Sequence, residues 1–338
     1  MSTLRKDPIS GHCVIIAADR ARRPHQLRRT ETRIDSIVCP FCEGQEASTT
    51  GEVFAFRVPS SSPDSPGWRV RVIPNKYPAL DEGMGNGETM VSDSDPLFPT
   101  GSTGGIHEVI IETAEHITSI AQLSDAQMAE VVYAYRHRIR SIRNDRRIRS
   151  AIIFKNVGAG AGASLEHVHS QLMGTSYVPL KLREELINSE QFLLVHGGCF
   201  FCGLVLREAE MGDRIVFDSD HFLVICPFAS RFPYEMCILP KQHASHFEVL
   251  SDNHVADLAC VLRKTVACLE STLAEPTYNI LIHTAPFDMP VLEHYHWHVE
   301  VLPRVTSTAG YEWGTGYYIN PNPPEEAART LRDRAAGM

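Results

Sequence analysis

The sequence lacks the features that mark three large classes of protein. It contains no run of about 18 apolar residues, the length typical of a membrane-spanning helix. It has no excess of positive charge, since 32 Lys and Arg residues stand against 41 Asp and Glu residues, which excludes a general nucleic-acid binder. The starting segment, MSTLRKDPIS, lacks the apolar core of a signal peptide. These absences predict a cytoplasmic protein with neither a membrane nor a nucleic acid as a partner.

The length and the internal repetition of the chain predict its organisation. With 338 residues, 43% of them hydrophobic, the chain can bury a large core and is long enough for about two domains. Each half contains a Cys-x-x-Cys pair, then a histidine before a helix, then a His-x-His motif at nearly equal spacing. Such self-similarity indicates a tandem duplication. We therefore predict an N-terminal domain at residues 1–190 and a C-terminal domain at residues 191–338.

Four of the nine cysteines form the two Cys-x-x-Cys pairs, which in a reducing compartment predict metal binding rather than disulfides. Zinc favours four thiolate or imidazole ligands in a tetrahedron. The predicted ligands of the first zinc site are Cys39, Cys42, His116 and His167. The predicted ligands of the second zinc site are Cys199, Cys202, His243 and His296. Two alternatives stay open in the second half, namely His246 or His294 as a replacement ligand, or a different site made of Glu185, His283, His296 and His298.

The stretch from Phe154 to Gln171, FKNVGAGAGASLEHVHSQ, combines a strand, a glycine-rich turn and a His-x-His motif. Successive side chains of a strand point to opposite faces, so alternation places His167, His169 and Gln171 on one face. An imidazole attacks phosphorus when one ring nitrogen has a lone pair and an acceptor holds the other. We predict that His169 is this nucleophile and that metal-bound His167 fixes its position. The Gln171 amide is then placed to donate a hydrogen bond to a phosphoryl oxygen.

Other polar residues have two open interpretations. The arginines between residues 20 and 23 form either a solvated basic loop or a phosphate clamp, because a guanidinium matches phosphate geometry. His107, at an edge of the expected pocket, either contacts phosphate or has a structural role. The spacing of Ser124 and Gln127 predicts a capping box at the start of a helix. The segment around residue 185 is expected to be a polar connection between the halves.

These motifs resemble those of the galactose-1-phosphate uridylyltransferase family of the histidine-triad superfamily. The family's H-P-H-G-Q active-site motif reads H-V-H-S-Q in this chain, and the resemblance extends over nearly all of the sequence. It implies an α+β fold made of two histidine-triad units in tandem, each an antiparallel sheet with packed helices. It also implies that the chain forms a homodimer.

The resemblance assigns roles residue by residue. His169 is expected to form a covalent nucleotidyl-histidine, Gln171 to support the phosphoryl group, and the first four ligands named above to bind zinc. The residues that match the family's other substrate contacts are Arg20 and Arg23 at the nucleotide phosphates, Phe41 and Asn75 at the base and ribose, and Asn156, Gly162 and Ser164 in the phosphate loop.

The implied reaction moves an NMP from a nucleoside-diphosphate sugar to a sugar 1-phosphate, most directly as a UDP-glucose–hexose-1-phosphate uridylyltransferase. Lys76 departs from the family, since well-known members have Asp there, and Thr306 and Ser307 replace a Lys-Phe pair. The second Cys-x-x-Cys pair resembles a feature of the sub-branch that includes ADP-glucose phosphorylases. Those enzymes pass the nucleotide to inorganic phosphate. The alternative is therefore an ADP-sugar phosphorylase or adenylyltransferase. From another class, the alternative is a zinc-stabilised nucleotide-binding protein without turnover.

Overall fold

The computed structural model of the protein describes residues 3–6, 13–16, 38–81, 97–306, 310–316 and 318–336. Two of the predicted substrate contacts, Arg20 and Arg23, lie outside the described residues. The strands are β1 Thr3–Lys6, β2 Cys13–Ile16, β3 Phe54–Arg57, β4 Trp68–Pro74, β5 Thr100–Ser102, β6 Gly105–Ile111, β7 Ser150–Val157, β8 His169–Thr175, β9 Ile215–Asp218, β10 Phe222–Ile225, β11 Met236–Pro240, β12 Tyr278–His283 and β13 His298–Pro303. The α-helices are α1 Asp125–Arg143, α2 Leu180–His196, α3 Phe200–Met211, α4 Asp252–Thr272, α5 Gly310–Thr315 and α6 Pro324–Ala335.

Ten strands form one sheet in the order β3-β4-β6-β8-β7-β12-β13-β11-β10-β9, and each neighbouring pair is antiparallel. The first five strands in this order come from the first half of the chain and the last five from the second half. The order within the second half repeats that of the first half, read outward from the central β7–β12 pair. This arrangement confirms the predicted α+β fold. The predicted boundary between residues 190 and 191 falls inside α2 and stays a prediction.

Helices α1 and α4 cover one face of this sheet. Ser124 begins α1 with the expected capping box, because its hydroxyl accepts from the Gln127 main-chain N–H and the Gln127 side chain accepts from the Ser124 N–H. Ser251 caps α4 by accepting from His254 N–H. Buried side chains of both helices pack with strands of both halves in one apolar core. The two halves therefore share a core as well as a sheet.

The opposite face of the first-half strands carries the site. Side chains of β6 alternate between the two faces, so that Ile110 packs in the core with α1 and α4. Val109 and Ile111 point the other way and pack with Phe41 and Trp68 in a smaller apolar cluster. That smaller cluster forms the apolar floor beside the predicted nucleophile.

The prediction of a polar connection near residue 185 is wrong, because the chain there forms α2. Leu182 and Leu186, one helical turn apart, pack against Phe201 and Val205 of α3. Both helices lie against buried strand residues of the second half, including Leu239. Within the described ranges no single helix is long and apolar enough to cross a membrane. Helices α2 and α3 are long and apolar enough only when taken together, and the chain bends by 75° between them.

Candidate active site and metal centres

The glycine-rich turn between β7 and β8 needs glycine at two positions. Gly158 and Gly162 have φ angles of 79° and 84°, in the region that side chains rarely adopt. A Cβ atom at Gly158 would also lie 2.5 Å from Cγ2 of Thr277, which is a steric clash. The turn therefore takes this compact shape because glycines stand there, and it brings the chain back to His167 and His169.

The imidazole of His169 is oriented by its own main chain. Its Nδ1 lies 2.7 Å from the carbonyl oxygen of His167, so Nδ1 carries a hydrogen and donates it. The neutral ring then has its lone pair on Nε2. The ring edge packs against Phe41, with ring centroids 5.2 Å apart. Because β8 begins at His169, His167 lies just before the strand rather than within it, so the predicted strand face is shorter by one position.

A cavity of about 320 Å³ opens beside this ring. Five of the predicted site residues line it, namely Phe41, Asn75, Ser164, His169 and Gln171. Asn156 lines an adjoining cavity of about 400 Å³, which His169 also borders. Gly162 belongs to the glycine-rich turn, where a Cβ atom would lie 4.0 Å from Nδ2 of Asn156. The structure thus brings the described members of the predicted substrate site around one imidazole.

The ligands of the first predicted metal site lie together next to the predicted nucleophile. Sγ of Cys42 lies 3.3 Å from Nδ1 of His116 and 3.6 Å from Nδ1 of His167, and Sγ of Cys39 lies 3.6 Å from the same His167 nitrogen. Zinc bonds thiolate sulfur at about 2.3 Å and imidazole nitrogen at about 2.0–2.1 Å, so tetrahedral S and N ligands lie about 3.6 Å apart. The four residues fit a zinc ion, with all ligand atoms within 4.8 Å of one another.

The protonation of this first cluster also suits a metal. Burial lowers the pKa of His167 to about 4, so its imidazole is neutral near pH 7. Its Nε2 donates to the carbonyl oxygen of Thr113 at 2.9 Å, which leaves Nδ1 as the ligand atom. Burial raises the pKa of the Cys39 thiol to about 11, and a bound cation would provide the charge that deprotonates it.

Family models for two consecutive domains match most of the chain. The model described as galactose-1-phosphate uridyl transferase, N-terminal domain, matches residues 1–179, and the model of the C-terminal domain matches residues 185–321. The chain belongs to the galactose-1-phosphate uridylyltransferase family.

Relatives within this family have two different names. An ADP-glucose phosphorylase from Arabidopsis thaliana is 34% identical over 98% of this chain and 92% of its own length. A galactose-1-phosphate uridylyltransferase from Thermotoga maritima is 28% identical over 98% of both chains. Among solved structures, the Arabidopsis ADP-glucose phosphorylase with bound ADP-glucose has a TM-score of 0.76, with 33% identity over 98% of this chain and 99% of its own. A uridylyltransferase structure has a TM-score of 0.81, with 27% identity over 100% of this chain and 99% of its own.

The second predicted metal cluster of this family member also assembles. Sγ of Cys202 lies 3.4 Å from Nδ1 of His243 and 3.3 Å from Nε2 of His296, and Cys199 completes the group. Nε2 of His243 donates to the Leu292 carbonyl oxygen at 2.8 Å, so Nδ1 faces the cluster. Burial lowers the pKa of His296 to about 3. These donors are again compatible with zinc.

The alternative ligands in the second half lie elsewhere. His246 contacts Ser245 Oγ and the Pro286 carbonyl oxygen, and His294 lines a separate surface cavity. The alternative site of Glu185, His283, His296 and His298 does not assemble as a whole, because His296 belongs to the cysteine cluster. The members of that grouping that stay together are Glu185, His283 and His298.

In the second histidine-triad unit, neighbouring side chains occupy the space around the counterparts of His169 and Gln171. His298 occupies in β13 the place of His169 in β8, and its ring stacks between Phe201 and His283. Burial alone would lower the pKa of His283, but the Glu185 and Glu300 carboxylates, 3.5 Å and 3.4 Å from its ring nitrogens, more than offset this and raise the pKa to about 9. Glu300, in the place of Gln171, is also paired with the Arg231 guanidinium. The second unit is therefore filled by its own side chains.

The sequence reasoning missed a buried ion pair beneath the nucleophile. Lys155 Nζ lies 2.6 Å from Glu112 Oε2, with both side chains almost fully buried, and it also donates to the His169 carbonyl oxygen at 2.9 Å. Oε1 of Glu112 accepts from the Tyr135 and Ser170 hydroxyls. Burial lowers the pKa of Lys155, an effect that the Glu112 carboxylate opposes. The network ties the main chain at His169 to the core.

Removal of the lysine charge is expected to destabilise the fold strongly. Lys155→Met would leave the Glu112 carboxylate buried without its cation, which costs about 3–5 kcal/mol of unfolding free energy. Urea denaturation measures this. The double variant Lys155→Met/Glu112→Gln keeps an acceptor oxygen without a buried charge, and we expect it to recover most of the loss. Equal stability of the single and double variants would contradict this account.

Proposed function

We propose that the protein transfers a nucleoside monophosphate from a nucleoside-diphosphate sugar to a phosphate acceptor, through a covalent bond to His169. The observation that carries the proposal is the His169 Nδ1 hydrogen bond to the His167 carbonyl oxygen, which puts the lone pair on Nε2 beside a cavity. Membership of a family whose named relatives are enzymes supports turnover rather than simple binding.

The reaction requires positioning rather than proton transfer. Nε2 of His169 attacks the phosphorus next to the nucleoside, an N–P bond forms, and the P–O bond to the leaving sugar 1-phosphate breaks. The leaving group is already an anion at neutral pH, so no general acid is needed. An acceptor phosphate oxygen then attacks the same phosphorus and releases His169. The Gln171 amide is placed to stabilise negative charge on the phosphoryl oxygens in both steps.

Zinc is proposed at both cysteine–histidine clusters. At the first cluster it would hold His167 and thereby fix the carbonyl oxygen that orients His169. Zinc there would supply the structural bonds that hold these four ligands together. The second cluster, at the start of α3, would hold that helix to the strand region before His298.

Two substrate pairs are consistent with this chemistry. In the first, the donor is UDP-glucose and the acceptor is a hexose 1-phosphate, as the family name and the Thermotoga relative suggest. In the second, the donor is an ADP-sugar and the acceptor is inorganic phosphate, which the Arabidopsis relative favours. Lys76, at the position where well-known members of the family have Asp, lines the same cavity. A homodimer and a cytoplasmic location are further parts of this proposal.

Covalent labelling tests the proposal and separates the substrates. The protein is incubated with UDP-glucose or with ADP-glucose, each radiolabelled in the phosphate next to the nucleoside. We expect protein-bound label that is labile to acid and stable to base, as a phosphoramidate is. The preferred nucleotide identifies the base, and release of label by inorganic phosphate or by a sugar 1-phosphate identifies the acceptor. Absence of label with both nucleotides would support a binding protein without turnover.

A further inference from the structure

His107 is buried at the side of the cavity, in contact with the proposed phosphate-binding amide. The ring is 1% exposed and lies on β6, which pairs with β8. The main-chain N–H of Ala79 donates to its Nδ1 at 3.1 Å. A ring nitrogen that accepts a hydrogen bond carries no hydrogen, so the neutral imidazole has its hydrogen on Nε2. The main chain at Ala79 therefore fixes the tautomer of His107.

This tautomer decides which atom of Gln171 can face the ring. Nε2 of His107 is a donor, and the atom 2.9 Å from it is Oε1 of Gln171. Nδ2 of Asn75 lies 3.3 Å from the same oxygen and 3.1 Å from Nε2 of His107, so the two donor nitrogens lie side by side. The Asn75 amide is itself fixed, because its Oδ1 accepts from the Tyr77 N–H at 2.9 Å. Two fixed donors thus converge on one oxygen.

A reversed Gln171 amide would be unfavourable in this setting. Its NH₂ group would then replace the oxygen that His107 and Asn75 share, so that three buried donors would lie together without an acceptor among them. With Oε1 held by both neighbours, the Nε2 hydrogens point from the other end of the amide. Gln171 lines the cavity together with His169, so these hydrogens are the ones available to a phosphoryl oxygen.

We infer that His107 is a positioning residue that holds the Gln171 amide with its N–H groups toward the transferred phosphoryl group. The inference deepens the proposed function and rests on it, because a phosphoryl acceptor is what makes the amide orientation matter. His107 acts through Gln171 and touches no reacting atom. This selects the structural alternative for His107 over direct contact with phosphate.

The first test compares two substitutions of His107. His107→Leu removes the donor, and we expect formation of the labelled nucleotidyl-enzyme to slow by about 10- to 100-fold, with little change in the half-saturating nucleotide-sugar concentration. His107→Gln places an amide N–H near the former Nε2 and is expected to stay within about fivefold of the wild-type rate. Equal losses in the two variants would contradict the inference.

A double-mutant cycle separates positioning from general damage. In a Gln171→Ala background there is no amide to orient, so His107→Leu is expected to slow labelling by less than about twofold further. Independent effects that multiply would overturn the inference. Ile110→Ala is the matched control, because Ile110 is buried in the same strand but faces the opposite side. It should lower stability and keep the wild-type labelling rate.

The outcomes also distinguish this inference from the proposed function. Wild-type protein that takes no label from either nucleotide sugar refutes the proposed function, and the inference with it. Wild-type protein that labels, with His107→Leu labelling at the same rate, refutes only the inference. If His107→Leu does not fold, the cycle is run with His107→Asn, whose shorter amide does not reach Gln171.

Discussion

His169→Ala is expected to abolish nucleotidyl transfer, with a loss of about 10⁴-fold or more, because it removes the imidazole whose Nε2 supplies the attacking lone pair. The substitution removes an imidazole that is held by a main-chain carbonyl and packs against Phe41, and it leaves the metal ligands in place. Covalent labelling with the preferred nucleotide sugar, followed by steady-state turnover, measures the loss.

The duplicated unit offers a matched control for this prediction. His298→Ala makes the same change at the corresponding strand position of the second half, where the ring is stacked and buried. We expect this variant to retain the covalent label. Zinc content of His169→Ala should match the wild type, since His169 is not a member of either cysteine–histidine cluster. Label on His169→Ala, or its loss on His298→Ala alone, would place the nucleophile elsewhere.

Loss of one cysteine from each metal cluster is expected to have different consequences. Cys39→Ala should lose one zinc per chain, lower the unfolding free energy by more than about 5 kcal/mol, and slow labelling strongly. The reason is that His167 is both a proposed ligand and the source of the carbonyl oxygen that orients His169. Cys199→Ala should also lose one zinc and lower stability, but it should still form the covalent label.

Metal analysis, thermal unfolding and labelling are measured on the same preparations. Cys226→Ala is the control, because Cys226 is buried in the apolar core and is not a member of either cluster. It should keep both zinc ions. Equal labelling by Cys39→Ala and wild type would show that the first metal does not position the nucleophile. Wild-type protein without zinc would remove both ligand assignments.

The parts of the molecule that could be predicted from sequence are those with a periodic or repeated signal. The repeated Cys-x-x-Cys and His-x-His motifs predicted two groups of four residues, and each group assembles. The capping box predicted the start of α1. The resemblance to a known family gave the α+β fold, which the sheet and the solved relatives confirm. The roles of the individual site residues stay predictions.

The parts that could not be predicted depend on pairing between distant strands. Lys155 and Glu112 meet only because β6, β8 and β7 lie side by side, and a lysine within an apolar strand gives no hint of its partner. His107 had two open interpretations because the tautomer depends on a main-chain N–H at Ala79. The helix at residue 185 was missed because its apolar residues are spread around the helix rather than gathered on one face, so the sequence shows little helical periodicity there.

The pairing of β7 with β12 covers the strand edge that each half would otherwise leave open in the middle of the sheet. Six residue pairs join these strands in the middle of the ten-stranded sheet. An open edge of that length, with apolar residues on both faces, would be a template for pairing with other chains. Each half thus covers a strand edge of the other. Because both halves belong to one chain, the covering strand is always nearby during folding. The second unit thus covers a strand edge of the half that carries His169.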